Sequence, residues 1–138
     1  MGSKLVTVNN KLTSTITDVD AFVTTYPTIT VPNGSALSGA IDLGRDMLVG
    51  LIVPAALEAT SAQLSFFGSD TLGGTYGQIK QGGTKLALPV AVNDHGLLAN
   101  FTDLAGVRFL KIQIETAGGV AVAQTADRVF KAIKVAAF

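Results

Sequence analysis

Apolar and polar residues alternate along much of the chain, and the clearest alternation follows a turn at residues 102–106. Beyond that turn, the side chains of Leu110, Ile112 and Ile114 alternate with those of Lys111, Gln113 and Glu115. A period of two over this length indicates a half-buried β-strand whose apolar side faces a core. Arg108 has the parity of the buried set, so we expect it to lie at the rim of the sheet or to be paired.

Shorter segments with strand character recur before and after this one. Strands are predicted within residues 22–31, 36–43, 47–53, 62–67, 75–80, 85–92, 97–101 and 129–135. Pro27 restricts the first to a sheet edge or divides it. Turns are predicted at residues 32–35 and 93–96, where asparagine and glycine accept positive φ. The connection 54–61 allows one helical turn.

About eight or nine short strands, roughly ten residues apart, predict an all-β fold. Together with glycine-rich turns and the absence of a long amphipathic pattern, they favour an antiparallel β-sandwich of jelly-roll type. An immunoglobulin-like sandwich is the alternative, but the chain has neither the cysteines nor the tryptophan of that fold. We expect a single domain over residues 21–138, preceded by an N-terminal arm over residues 1–20.

The arm differs in composition from the rest of the chain. It is rich in threonine, asparagine and aspartate, and Leu5, Val6 and Val8 are its best candidates for a short strand. One interpretation is a frayed terminus. The other is an arm that adds a strand to the sheet edge of a neighbouring subunit.

Two strands supply further candidates for a protein interface. Residues 47–53 are apolar on both faces, so this strand is expected between two layers or against another subunit, with Leu48 and Ile52 as contact residues. Phe67 has the parity of the outer face of its strand and is a candidate for an exposed contact. Packing in the core is the alternative for each of them.

Composition excludes several classes of function. The 138 residues carry 10 basic and 10 acidic side chains, which leaves no electrostatic footprint for nucleic acid or an anionic membrane. Charged residues make up 14% and apolar residues 48% of the chain, a balance that favours association with other subunits. The chain shows neither a secretion signal nor an apolar run long enough to span a bilayer, so we expect synthesis in the cytoplasm.

Candidate chemistry is sparse. His95 beside Asp94 resembles half of an acid–base pair, but no activated serine motif accompanies it. One histidine without cysteine does not supply a usual zinc site. Asp18, Asp20 and Asp70 leave a structural calcium open, although no EF-hand spacing is present. We therefore predict no enzymatic activity, no catalytic or metal-binding residues and no cofactor.

Several segments resemble a recurrent pattern in the virion proteins of tailed bacteriophages. In order, they are residues 54–56 (PAA), 62–69 (AQLSFFGS), 74–76 (GTY), 105–112 (AGVRFLKI) and 124–128 (QTADR). The size and the strand pattern are most similar to the jelly-roll capsid cement, or decoration, protein of a Bordetella-type podophage. Leu57 departs from the pattern, because the family often has tryptophan after its proline.

The resemblance implies a structural virion protein on the outer capsid surface, which cements neighbouring capsomers and stabilises the head. Its expected partners are the major capsid protein and further copies of itself, with a homodimer favoured. No catalytic role is implied. The expected interface residues are Leu5, Val6, Val8, Leu48, Ile52 and Phe67. Asp127 and Arg128 would form a salt-bridged entry to a strand, with Arg108 nearby.

The competing prediction is a phage tail part or a receptor-binding, carbohydrate-binding β-sandwich module. Such modules usually present exposed tryptophan or tyrosine platforms that stack on sugar rings. This chain has no tryptophan, and its only tyrosines are Tyr26 and Tyr76. The composition therefore favours the capsid prediction.

Overall fold

The structure, a computed structural model, describes residues 26–136, and these form β-strands and no helix. The strands are β1 (Thr28–Val31), β2 (Ile41–Asp42), β3 (Asp46–Ile52), β4 (Gln63–Ser69), β5 (Gly77–Gln78), β6 (Lys80–Gln81), β7 (Thr84–Lys85), β8 (Ala87–Pro89), β9 (His95–Leu97), β10 (Phe109–Glu115) and β11 (Arg128–Ala136). The predicted all-β class is confirmed. The strands outnumber the expected eight or nine because Ile79 separates β5 from β6 and Leu86 separates β7 from β8.

The strands form two main sheets and a small hairpin, and every ladder is antiparallel. The four-stranded sheet has the order β1-β11-β3-β9. The five-stranded sheet has the order β2-β10-β4-β5, with β8 also paired to β4, and β6 and β7 form the hairpin. Buried side chains from both main sheets make one continuous core, consistent with a β-sandwich. The jelly-roll connectivity stays a prediction.

Strand β10 confirms the alternation seen in the sequence. Leu110, Ile112 and Ile114 are fully buried, and the strand pairs with β4 along its whole length. Phe66 of β4 lies opposite Ile112 and is likewise fully buried. Arg108, just before the strand, is paired as expected, because its guanidinium lies 3.2 Å from the carboxylate of Asp42.

The turn predicted at residues 32–35 is confirmed, whereas the turn predicted at residues 93–96 lies at residues 91–94, because His95 and Gly96 belong to strand β9. The amide of Ser35 donates to the carbonyl of Pro32 at 3.0 Å, and Gly34 has a φ of 87°. At the second turn, Asn93 has a φ of 65° and the amide of Asp94 donates to the carbonyl of Ala91. Asparagine and glycine adopt this left-handed conformation more easily than other residues, which is why the turns were visible in the sequence.

The connection 54–61 contains no helical turn, so that expectation is wrong. Instead, the amide of Glu58 donates to the side-chain oxygen of buried Gln124, and the amide of Ser61 donates to the carbonyl of Glu58. Arg128 also donates to that Gln124 oxygen. Gln124, which is distant in sequence, therefore anchors the connection just before a turn at residues 58–61.

The predicted salt-bridged strand entry is confirmed for Arg128, which starts β11, but not for Asp127. Arg128 pairs with Glu58 at 3.1 Å, and Asp127 instead accepts the amide of Asn33 at 2.8 Å. Adjacent residues of an extended chain point to opposite faces, so the two side chains diverge. Arg108 pairs with Asp42 and takes no part in this cluster.

Candidate protein-binding face

The outer face of the four-stranded sheet carries several apolar side chains outside the core. Along the strands of this sheet, every second side chain points inward, and Leu51, Phe130 and Ala132 are examples that are fully buried. Alternation places the following side chains on the opposite side: Met47, Ile52, Leu97, Val129, Ile133 and Val135. We call these six residues the apolar face. Leu97 is 62% exposed and Val129 45% exposed, whereas Met47 is nearly covered.

An irregularity in β3 decides which of its side chains reach this face. Ile133 lies opposite Gly50 and Lys134 opposite Leu48, so Val49 has no partner in β11. Such a β-bulge reverses the alternation on its strand. Leu48 consequently turns into the core, where it is fully buried, and Met47 turns outward beside Val135.

Gly50 allows strand β9 to approach β3 closely at the middle of the face. A Cβ atom at this position would lie 2.4 Å from the carbonyl oxygen of Gly96 and 2.8 Å from Cδ2 of Leu97. Only a residue without a side chain fits under Leu97 here. The glycine thus holds the exposed Leu97 flat on the face.

One row of side chains across the sheet brings a basic group into the apolar face. The row consists of Thr28, Lys131, Ile52 and His95, one from each strand. Arg128 and Lys134 of the same strand have carboxylate partners, Glu58 and Asp46. Within residues 26–136, Lys131 makes no ion pair, and the residue is exposed.

The outer face of the five-stranded sheet has the opposite character, because it is built around a buried carboxylate. Glu115 has no exposed surface, and four side chains donate hydrogen bonds to it. They are the hydroxyl of Ser65, the amides of Gln63 and Gln113, and the ammonium of Lys85 at 3.0 Å. This face is therefore satisfied within the chain.

The same contacts set the ionisation of Glu115. Burial opposes the charged form, but the hydrogen bonds from Ser65, Gln63 and Lys85 outweigh it and hold the pKa of Glu115 below its usual value of 4.5. A carboxylate that is ionised and fully hydrogen-bonded stabilises the fold and has little capacity to act as a base.

Phe67 lies on this second face and is half-buried, so it is less accessible than the sequence suggested. Its neighbours in register are Lys111 and Gln78. The ammonium of Lys111 lies 4.4 Å from the ring centre of Tyr76, whose hydroxyl donates to the carbonyl of Leu72. Tyr76 is thus held by its own loop and its neighbour.

The other predicted interface residues divide into three groups. Ile52 lies half-buried on the apolar face. Leu48 belongs to the core, because the bulge at Val49 reverses the parity that placed it beside Ile52. The remaining candidates, Leu5, Val6 and Val8, lie outside the described residues, as does the whole predicted arm over residues 1–20.

Sequence reasoning missed Lys131, Val129, Ile133, Val135 and Leu97 as surface residues. The first four share one parity along a single strand, which is a pattern that the sequence does display. The sequence analysis predicts this strand only as the last strand of the domain. Leu97 carries no comparable signal, because its exposure depends on Gly50 of a distant strand.

Of the two acid–base candidates, Asp94 and His95, Asp94 has a structural role in its turn. Asp94 accepts the amide of Ala91 at 3.0 Å, while His95 is exposed at the edge strand β9. In the part of the chain that the structure describes, no cluster of three or more histidine, aspartate or glutamate residues is placed to hold a metal ion. Asp70 lies exposed in a loop there, whereas Asp18 and Asp20 lie outside the described range.

A shallow, open depression lies at one end of the five-stranded sheet. Gly68, Ile79, Val107 and Arg108 contribute to its lining, and its volume is about 440 Å³. Of its two charged side chains, Arg108 is already paired with Asp42, and Asp70 is exposed. Its hydroxyl, that of Ser69, donates to the carbonyl of Thr71, so the apolar face is the better candidate site.

Comparison of the chain with protein-family models, curated proteins and solved structures finds no match in any of the three. Among residues 26–136 there is no helix with the length and apolar character needed to cross a membrane.

Proposed function

We propose that the chain is a structural virion protein that binds the outside of a phage capsid and cements neighbouring capsomers. The observation that carries this proposal is the apolar face, where Leu97 and Val129 are 62% and 45% exposed on the outer side of the four-stranded sheet. Extended apolar patches of this kind usually mark contacts with other proteins. The resemblance of the sequence to phage cement proteins supplies the class of partner.

The physical character of the molecule agrees with such a role. A protein that binds only the assembled shell stabilises it by mass action, and this requires neither catalytic groups nor a cofactor. The requirement is a rigid body with contact surface on at least one side. Here the two sheets share one core, and the apolar face lies on the outside of one of them.

We also propose that the chain acts as a homodimer, since capsid shells offer local twofold axes where an isologous pair binds symmetrically. The N-terminal segment with Leu5, Val6 and Val8 is the candidate for contacts between copies. A specific interface needs about 1,200 Å² of total buried surface or more, so the apolar face alone would have to be supplemented by its surrounding loops.

The proposal is tested by the location and the copy number of the protein. Particles of the phage that encodes the chain would be purified, and the chain quantified against the major capsid protein by mass spectrometry. We expect a ratio near one, which means hundreds of copies per particle. A ratio corresponding to a few tens of copies or fewer would favour a tail or receptor-binding part instead. Complete absence from the particle would overturn the virion assignment.

A second measurement separates binding from mere presence. Heads that lack the chain should release DNA at a lower temperature than complete heads, and added purified chain should restore the difference. Equal release temperatures would contradict a cementing role even if the copy number were high.

A further inference from the structure

We infer that the surface that binds the apolar face is a protein surface that is mainly apolar and presents a carboxylate to Lys131. This inference rests on the proposed function, in which the partner is a protein subunit of the capsid shell. It adds the chemistry by which that subunit is recognised.

The surroundings of Lys131 show why a covering partner would need this group. Its neighbours across the strands are Thr28 and Ile52, and Val129 and Ile133 flank it along its own strand on the same side. None of these side chains carries a negative charge. A surface pressed onto them removes water from the ammonium, and an ammonium without water or a carboxylate is strongly unfavourable.

The other basic residues of strand β11 provide an internal comparison. Arg128 lies 3.1 Å from Glu58, and Lys134 lies 2.8 Å from Asp46, so both are neutralised within the chain. Lys131, between them, has no such partner among the described residues. It is the one cation of this strand whose charge is left for another molecule.

The unpaired charge of Lys131 also distinguishes between two candidate occupants of the apolar face, a second copy of the chain and a different protein. A second copy packed face to face would bring another Lys131 and the same apolar residues, but no carboxylate from the corresponding row. Like charges that approach in a desolvated contact disfavour association. The face is therefore better suited to a different protein, and copies of the chain would associate through another surface.

His95 extends the row on the far side of Ile52. Two strand spacings separate it from Lys131, roughly 10 Å. Its imidazole is exposed at the edge strand and adds a hydrogen-bond donor to the basic side of the face. A second acidic or amide group on the partner, about one such distance from the first, would match this arrangement.

The experiment uses heads from a phage whose gene for this chain is deleted, with purified full-length chain added back. Binding is measured by co-sedimentation over a range of concentrations for the wild type, Lys131→Met, Lys131→Glu and a double variant, Leu97→Ser with Val129→Ser. Lys80→Glu, an exposed position on strand β6, is the matched control for a charge reversal elsewhere. Thermal unfolding of each variant checks that it is folded.

We expect Lys131→Glu to weaken binding at least about thirtyfold, since it places two carboxylates together in a desolvated contact. Lys131→Met should weaken it less and should reduce its dependence on salt. The double variant should also bind weakly, and Lys80→Glu should bind like the wild type.

The remaining outcomes distinguish a failure of the proposed function from a failure of this inference. If the wild type does not bind the heads, the proposed function is wrong. If the wild type binds and the double variant binds equally well, the apolar face is not the contact, and the inference is overturned. If the double variant fails to bind while Lys131→Met and Lys131→Glu bind like the wild type, the apolar face is the contact but no carboxylate faces Lys131. The inference is then overturned.

Discussion

The outer face of the five-stranded sheet surrounds Glu115 with hydrogen-bond donors, whereas the outer face of the four-stranded sheet surrounds Lys131 with apolar side chains. Both faces belong to the same sandwich and cover the same core. Glu115 has no exposed surface and a partner for each oxygen. Lys131 is exposed and has no carboxylate partner among the described residues.

The difference distinguishes a side of the molecule that stabilises the fold from a side that we propose to bind a partner. A charge that is buried and satisfied within the chain contributes to the folded state and offers little to another molecule. An apolar surface with one unsatisfied charge contributes little to folding and much to a contact. The predictions below separate these two contributions.

The largest effect is expected for Glu115→Ala. The change leaves the hydroxyl of Ser65 and the amides of Gln63 and Gln113 without their shared acceptor in a buried place. We expect the free energy of unfolding to fall by about 3 kcal/mol, measured by urea denaturation. Gln113→Ala, which removes one donor only, should cost clearly less. Equal losses for the two variants would show that Glu115 is not the centre of this face.

The next effect concerns the contact that positions Leu97. Gly50→Ala would place a methyl group 2.4 Å from the carbonyl oxygen of Gly96, so strand β9 has to move away from β3. We expect a loss of about 2 kcal/mol in urea denaturation, as is typical for overpacking. Gly39→Ala is the matched control, because no atom lies within 4 Å of the added Cβ. If both variants are equally stable, the close approach of the two strands is not tight in solution.

A smaller effect is expected from pH. The pKa of Glu115 in the folded state lies below 4.5 because its hydrogen-bond donors outweigh its burial. Its stabilising contribution is therefore fully present above the pKa of the unfolded chain and is lost as the pH falls through the lower, folded value. The unfolding free energy, measured between pH 7 and pH 3, should fall more steeply in the wild type than in Glu115→Gln. Parallel profiles would contradict the ionised state of Glu115.

The pH profile of either protein should retain a common part. The pKa values of Asp42 and Glu58 are also lowered, by hydrogen bonds from Arg108 and Thr125 respectively. Both carboxylates are present in the wild type and in Glu115→Gln, so their contribution cancels in the comparison.

The core was predictable because alternation controls it directly. Leu110, Ile112 and Ile114 were assigned to the buried side from their spacing alone, and the structure places them there. The turn at Gly34 was predictable for a similar local reason, since its φ of 87° suits glycine.

The candidate site was less predictable because it depends on contacts between distant strands. The bulge at Val49 reverses the parity of Leu48, and no residue nearby signals it. Lys131 and Glu115 are both polar residues of alternating strands, so their patterns are alike. Glu115 is covered and Lys131 is not, because Lys85 of the separate hairpin strand β7 donates to Glu115. The sequence alone does not show where in the fold this hairpin packs.

The smallest effect is expected on the apolar face itself, and it is the sharpest test of the comparison. Replacing Leu97 and Val129 by serine exchanges exposed apolar side chains that make little of the core, so the unfolding free energy should change by less than about 0.5 kcal/mol for each. Ile112→Ala, in the core of the other sheet, is the contrasting control and should cost about 3 kcal/mol. A large loss for the serine variants would mean that these side chains are already covered within the folded chain. The apolar face would then belong to the fold, and the distinction between a satisfied face and a binding face would fail.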